Sequence, residues 1–136
     1  MTPFGRELRR LRAERRVTQA ELARKLGVSA AYLSALENGY RGRPTPLLLH
    51  RICNYFGIIW DDAEALTKLA ARSRPKLSVD TGGLSPTATE VLNLLAEKAK
   101  SLDEATWRSL KAILASAGQR AAGPPAAPGI SRERNE

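Results

Sequence analysis

The run from Thr18 to Gly39, TQAELARKLGVSAAYLSALENG, constrains this chain more than any other feature. Thr18-Gln19-Ala20-Glu21 fits the pattern in which a hydroxyl and a carboxylate satisfy each other's orphan amides at a helix start. Leu22, Ala23 and Leu26 then fall at helical spacing, as do Leu33 and Leu36 after Ser29. Between them Gly27-Val28 leaves room only for a tight turn, and Gly27 supplies the permissive backbone such a turn requires. The spacing predicts a helix over Thr18–Leu26 and a second one, capped by Ser29, that ends near Asn38-Gly39. Ala23 is small where the two helices must cross closely. Val28, Leu33 and Leu36 pin the second helix onto the first and leave its other face free.

The same reading extends along the chain. Thr2-Pro3, Thr45-Pro46 and Ser85-Pro86 each put a capping hydroxyl before a proline suited to the first helical position. Ser101-Leu102-Asp103-Glu104 repeats the reciprocal capping pattern. Apolar stripes at Phe4, Leu8 and Leu11, at Leu48, Leu49, Ile52 and Phe56, and at Leu66, Leu69 and Ala70 complete five helices over about residues 3–72. The fold class expected is all-α, and the only strand candidate is the short segment Lys76–Asp80. The domains expected are 1–74, a linker over 75–84 that contains Pro75 and Gly82-Gly83, an amphipathic helical hairpin over 85–117, and a tail over 118–136. The tail holds Gly123-Pro124-Pro125 and Pro128-Gly129, a composition that cannot build a core, and is expected to be disordered.

Charge narrows the partner. The formal net charge is +8, and residues 1–74 carry 14 basic against 7 acidic side chains while residues 75–117 carry 5 of each. The basic half therefore coincides with the five helices, which points to a polyanionic partner. Cys53 is the only cysteine and His50 the only histidine, so neither an internal disulfide nor a cysteine-cluster zinc site can form. With no glycine-rich nucleotide loop either, catalytic and metal sites are expected to be absent and no cofactor is implied. Met1–Arg6 has no apolar stretch suited to a signal peptide and no run approaches a membrane span, so a cytoplasmic location is expected.

Thr18-Gln19, Glu21-Leu22-Ala23, Leu26-Gly27-Val28-Ser29, Leu33-Ser34 and Leu36-Glu37-Asn38-Gly39 together resemble the phage Cro/repressor, XRE-type helix-turn-helix family. With Arg43-Pro44 and Tyr55-Phe56-Gly57 the resemblance covers about residues 4–70. It implies a five-helix, lambda-repressor-like DNA-binding domain. By the same resemblance Gln19 would hold a phosphate with its side chain and nearby amides. Ser29, Ala30, Ala31, Ser34 and Ala35 would face base edges, while Asn38, Tyr40, Arg41 and Arg43 would meet the sugar-phosphate backbone. The chain departs from many relatives at Ala30 and Ala31, where long polar side chains are common. Alanine cannot make bidentate bonds to a base, though it packs on a thymine methyl. Modest direct readout through Ser29 and Ser34, with a larger share from DNA shape, is the expectation. A second departure is Ile59, where relatives carry a polar cap. Asp61 is the candidate substitute, and either Ile59 beside Tyr55 and Trp60 marks a contact surface or, more plainly, one of the three is buried in the core.

The other singled-out residues have ordinary readings. Arg9 and Arg10 either touch phosphate or belong to a solvated face, Cys53 is a small buried hydrophobe, and Trp60 and Trp107 are packing anchors. Val91, Leu92, Leu95 and Ala99 form one apolar stripe, and Trp107, Leu110, Ile113 and Leu114 another. Two such helices cannot hide these stripes alone. They either pack on their own five-helix domain or pair with a second chain. The resemblance implies double-stranded DNA as partner and favours a homodimer, because dimers of this family match palindromic sites. The function expected is a sequence-specific transcriptional regulator, a repressor. An antitoxin that binds a protein partner through residues 85–117 and represses its own operon is the alternative.

Overall fold

Four of the five helix starts expected in the first half are made by the hydroxyl that precedes them. The computed structural model describes residues 1–121. In it α1 spans Pro3–Arg15, α2 Gln19–Leu26, α3 Ala30–Asn38, α4 Pro46–Phe56 and α5 Trp60–Ala71. Thr2 Oγ1 accepts the Gly5 amide at 2.9 Å and Thr45 Oγ1 the Leu48 amide at 3.1 Å. At α2 both halves of the reciprocal cap form: Glu21 N donates to Thr18 Oγ1 at 3.1 Å and Thr18 N to Glu21 Oε1 at 2.9 Å. The end of α1 carries no signal in the sequence. Arg16 closes it in the left-handed region at φ 54, a conformation that costs a side-chain-bearing residue about 1–2 kcal/mol.

The stripes meet in one core. Phe4, Leu8, Leu22, Leu26, Leu33, Leu36 and Ile52 are fully buried, joined by Leu11, Ala23, Leu48, Leu49, Cys53, Phe56, Leu66 and Ala70. Each large side chain among them contributes about 1.5–3 kcal/mol by leaving water. Helix α1 packs on α3 and α5, and α2 packs on α3 and α4. The α1–α3 crossing is close enough to demand glycine. A Cβ built on Gly5 would stand 2.1 Å from the Glu37 carbonyl oxygen. The two ends of this unit are tied together by Ser73, itself buried. Its Oγ accepts the Phe4 amide at 2.9 Å and donates to the Leu69 carbonyl at 2.6 Å.

Helix α5 starts without a side-chain cap. Ile59 holds the cap position and no side chain accepts an amide there, so Asp61 does not take over the cap. The reason is register: Asp61 and Asp62 already lie inside the first turn, where their charge complements the helix dipole. Of the three apolar residues around this corner, Tyr55 is half-buried with its ring edge-on to Phe56 at 4.9 Å. Ile59 and Trp60 are exposed, and Trp60 sits at φ 54.

The chain divides between Val79 and Asp80, and the second unit is described by itself. Lys76–Asp80 forms no strand. No strand exists among the described residues to take its backbone hydrogen bonds. Helix α6 spans Pro86–Lys98, a 3-10 turn follows over Ala99–Ser101, and α7 spans Glu104–Ala121. Ser85 Oγ accepts the Ala88 amide at 3.1 Å, as its place before a proline predicts. Ser101 does not cap α7. The 3-10 turn carries α6 on to Ser101, whose hydroxyl donates back to the Lys98 carbonyl, and Asp103 caps instead, accepting the Thr106 amide at 2.8 Å. The Thr106 side chain and amide together hold the Asp103 carboxyl below the usual carboxylate range. Helix α7 runs four residues past Ala117, into the segment expected to be a tail; the rest of that segment, 122–136, lies outside the described residues. The all-α architecture, five helices followed by two more, is as expected. No helix among the described residues is long and apolar enough to cross a membrane.

Candidate nucleic-acid interface

The turn between α2 and α3 is built from backbone chemistry. Gly27 ends α2 in the left-handed region at φ 76, where other residues are strained. Val28 N then reaches back to the Ala23 carbonyl at 3.0 Å, and Arg51 Nη1 covers the Leu26 carbonyl at 3.2 Å. Ser29 Oγ accepts the Tyr32 amide at 3.0 Å, so α3 is capped two residues after the turn glycine and starts at the third. Leu33 and Leu36 are buried and clamp α3 onto the core. With those two inward, helical geometry sends the opposite edge out.

That edge carries small side chains. Ser29, Ala30 and Ala31 are exposed, and Ser34 and Ala35 are half-buried further along. Beyond α3 the chain presents Tyr40, 84% exposed, with Arg41 and Arg43 also exposed. The Arg41 guanidinium lies 5.8 Å from the centre of the Tyr32 ring, a cation–π contact that ties the loop to α3. Arg16, Arg41 and Arg43 make no salt bridge among the described residues. Arg10 is the opposite case: its guanidinium bridges Glu7 and Glu14 on the same helix. Arg10 at the same time holds the Glu7 carboxyl below its usual range, chiefly through their hydrogen bond.

Two of the expected contact residues are engaged inside the fold. Gln19 Nε2 donates to Glu37 Oε1 at 2.8 Å. Asn38 Nδ2 donates to the Ser34 carbonyl at 2.9 Å and its Oδ1 accepts from Arg9 Nη2 at 3.2 Å. What remains open at the start of α2 is backbone: the Gln19 and Ala20 amides have no acceptor in the described chain.

Behind this surface lies a charged cluster that sequence reasoning missed. Glu37 is 0% exposed. Arg12 grips it with both prongs, Nε to Oε2 at 2.7 Å and Nη2 to Oε1 at 3.0 Å, and also donates to the Val17 carbonyl at 3.2 Å. Arg9 Nε adds a weaker approach at 3.6 Å. One carboxylate thereby joins α1, the start of α2 and the end of α3. A signal was present: Glu37 follows the inward Leu33 by four residues, and Arg12 follows the inward Leu8 by four. Opposite charges on two inward stripes are a pairing cue.

The comparisons with known proteins agree with this geometry. Residues 3–66 match the family model described as a helix-turn-helix domain. The HTH-type transcriptional repressor RghR of Bacillus subtilis (strain 168) is 43% identical over 61 residues, 45% of this chain and 45% of that protein. The uncharacterized HTH-type transcriptional regulator RghRB of the same organism is 37% identical over 65 residues, 48% of this chain and 47% of that protein. The matched part thus spans about half the length of these curated relatives. No solved structure matches the chain. The turn at Gly27, the buried clamp of Leu33 and Leu36 and the matched residues together make residues 3–66 similar to helix-turn-helix domains of the XRE type.

Proposed function

We propose that this chain is a sequence-specific DNA-binding transcriptional regulator, and that it acts as a repressor by occupying operator DNA as a dimer. The observation that carries the reading is the outer edge of α3: small, uncharged side chains at Ser29, Ala30 and Ala31 on a helix clamped by Leu33 and Leu36. Such an edge fits a major groove about 12 Å wide without steric cost. Around it, Arg41 and Arg43 and the open Gln19 and Ala20 amides suit phosphates on either side. Tyr40, Asn38 and Ser34 support the same surface, the last two by holding one another in place. Base selection rests on Ser29, Ser34 and the Ala30 and Ala31 methyl groups, with sequence-dependent DNA shape supplying the rest.

Two copies on a palindrome would put their α3 helices about 34 Å apart, one duplex turn. The pairing element in this reading is residues 85–117. No residue of α6 is buried, and Val91, Leu94, Ile113 and Leu114 are exposed. An uncovered face of this kind also suits a protein ligand, which is the antitoxin reading. Purification at high salt separates the two, since a stoichiometric small protein that stays bound favours the antitoxin.

The function is tested by selecting bound fragments from genomic DNA at fixed salt and then competing with unrelated duplex. The expected result is one enriched palindromic site preferred by about 10³-fold or more. Binding without such preference would refute a sequence-specific regulator. In the same assay Arg43→Ala should alter the preferred site more than Ala30→Gln does, and the reverse order would refute readout through shape.

A further inference from the structure

The corner between α1 and α2 holds a cation that the fold does not use. Arg12 and Arg15, the two arginines before it, are both engaged, the first with Glu37 and the second with the Phe56 carbonyl and ring. Arg16 is exposed, and its guanidinium makes no hydrogen bond or salt bridge among the described residues. Its backbone is nonetheless fixed. The Arg16 amide donates to the Ala13 carbonyl at 3.2 Å, the Val17 amide donates to the Arg12 carbonyl at 3.0 Å, and Val17 packs against the core. Between these ties Arg16 stands at φ 54 and ψ 44, where glycine is at ease and a residue with a side chain is strained. A guanidinium that only met solvent would gain nothing from that place. Backbone strain of this kind persists where the side chain it presents has a task.

Two residues further on lies Thr18, the cap of α2, at most about 7 Å away along the chain. Beyond it the Gln19 and Ala20 amides are open, while Thr18 and Glu21 answer only one another. Open amides offer an anion partial charges alone. A guanidinium within reach adds a full charge and a planar fork that matches two phosphate oxygens. We propose that Arg16 is a further DNA contact, its guanidinium holding the backbone phosphate that the open α2 amides face. The inference rests on the DNA-binding reading and deepens it. Phosphate is the ligand, and not a base, because Arg16 belongs to the start of α2 and lies off the α3 edge assigned to the groove. Such a contact positions the protein and carries no sequence preference. The fixed backbone sets the root of the side chain beside that phosphate before DNA arrives, so less order has to be imposed on binding.

The test titrates the full chain with its selected operator and with an unrelated duplex over a range of salt. Each phosphate contact adds about 0.9 to the slope of log affinity against log salt. Arg16→Gly should be at least as stable to urea as the wild type, yet bind both duplexes about 3–10-fold more weakly, with a slope smaller by about 0.9. Arg16→Lys should keep the slope. Lys68→Gln, which removes the same charge from an exposed position on α5, should keep slope and affinity within about twofold of the wild type. Neutral methylphosphonates placed singly along the operator then locate the contact. At one position the substitution should weaken the wild type about 3–10-fold more than it weakens Arg16→Gly. An unchanged slope in Arg16→Gly, an equal fall in Lys68→Gln, or equal losses at every methylphosphonate overturns the inference while leaving the DNA-binding reading intact. A wild type that binds neither duplex overturns both.

Discussion

Removing the charge of Glu37 while keeping its shape should unfold the N-terminal unit far more readily than an exposed substitution does. In Glu37→Gln the amide still fills the site, but Arg12, whose side chain is 15% exposed, keeps a guanidinium with no carboxylate opposite it. Breaking one side of a buried pair in this way costs about 3–5 kcal/mol. The pair here is bidentate and reinforced by Gln19, which puts the cost in that range and not in the sub-kilocalorie range of surface pairs. Against a total stability of about 5–15 kcal/mol, this is a large fraction. For a unit of this size, where 1 kcal/mol shifts the melting temperature by about 4–8 °C, the drop should be about 12–40 °C. The companion variant Arg12→Met/Glu37→Met removes both charges. It should recover at least about half of the loss, because desolvation of two ions no longer opposes burial. Circular dichroism melts of the wild type, Arg12→Met, Glu37→Met and the double variant form a closed cycle, with Glu37→Gln measured beside it. If Glu37→Gln melts within about 4 °C of the wild type, or the double variant is no more stable than the singles, the carboxylate is not the junction of three helices.

Further expectations follow from the same geometry. Gly5→Ala should be as damaging as Glu37→Gln, since its methyl meets the Glu37 carbonyl oxygen at 2.1 Å and backbone cannot step aside; a melt within a few degrees of wild type would refute the close α1–α3 crossing. Arg16→Gly should raise stability by up to about 1 kcal/mol by relieving the left-handed C-cap of α1, measured by urea unfolding, and a loss of stability would refute that strain. The Glu21 carboxyl is held below its usual range, first by the Thr18 amide and then by the Thr18 side chain. A depressed carboxylate stabilises the fold above its unfolded pKa and loses that contribution as pH falls through the folded one. Glu21→Gln should therefore lose less stability than the wild type between about pH 5 and about pH 3, and an equal loss would show that the capping carboxylate carries no acid sensitivity.

The elements that the chain declares most plainly are those made from neighbours in sequence. Thr2, Thr18, Ser29, Thr45 and Ser85 each cap the helix that follows them, because a hydroxyl three residues from an orphan amide needs no tertiary help. The recognition turn was legible for the same reason. Ser101 misled because the preceding helix runs on through a 3-10 turn, and only the three-dimensional path decides whether a hydroxyl ends one helix or begins the next. Gly5 and Ser73 went unread since their roles depend on residues 32 and 69 or so positions distant, Glu37 and Phe4. Within the candidate interface, the exposed edge Ser29–Ala31 and the loop arginines could be read from helical phase. The engagement of Gln19 with Glu37 could not, because it requires knowing that α3 folds its inward carboxylate back against the start of α2.

The account depends above all on the outer edge of α3 entering a duplex. The direct measurement is a fluorescence anisotropy titration of the selected operator with wild type and Ala31→Glu, at one salt concentration and with matched melts. Ala31 is exposed, so the fold should be unchanged, while a carboxylate facing bases and phosphates should weaken binding by about tenfold or more, at least about 1.4 kcal/mol. Affinities within about twofold of each other would contradict the account, because no helix edge buried in a groove accommodates that side chain at so small a cost.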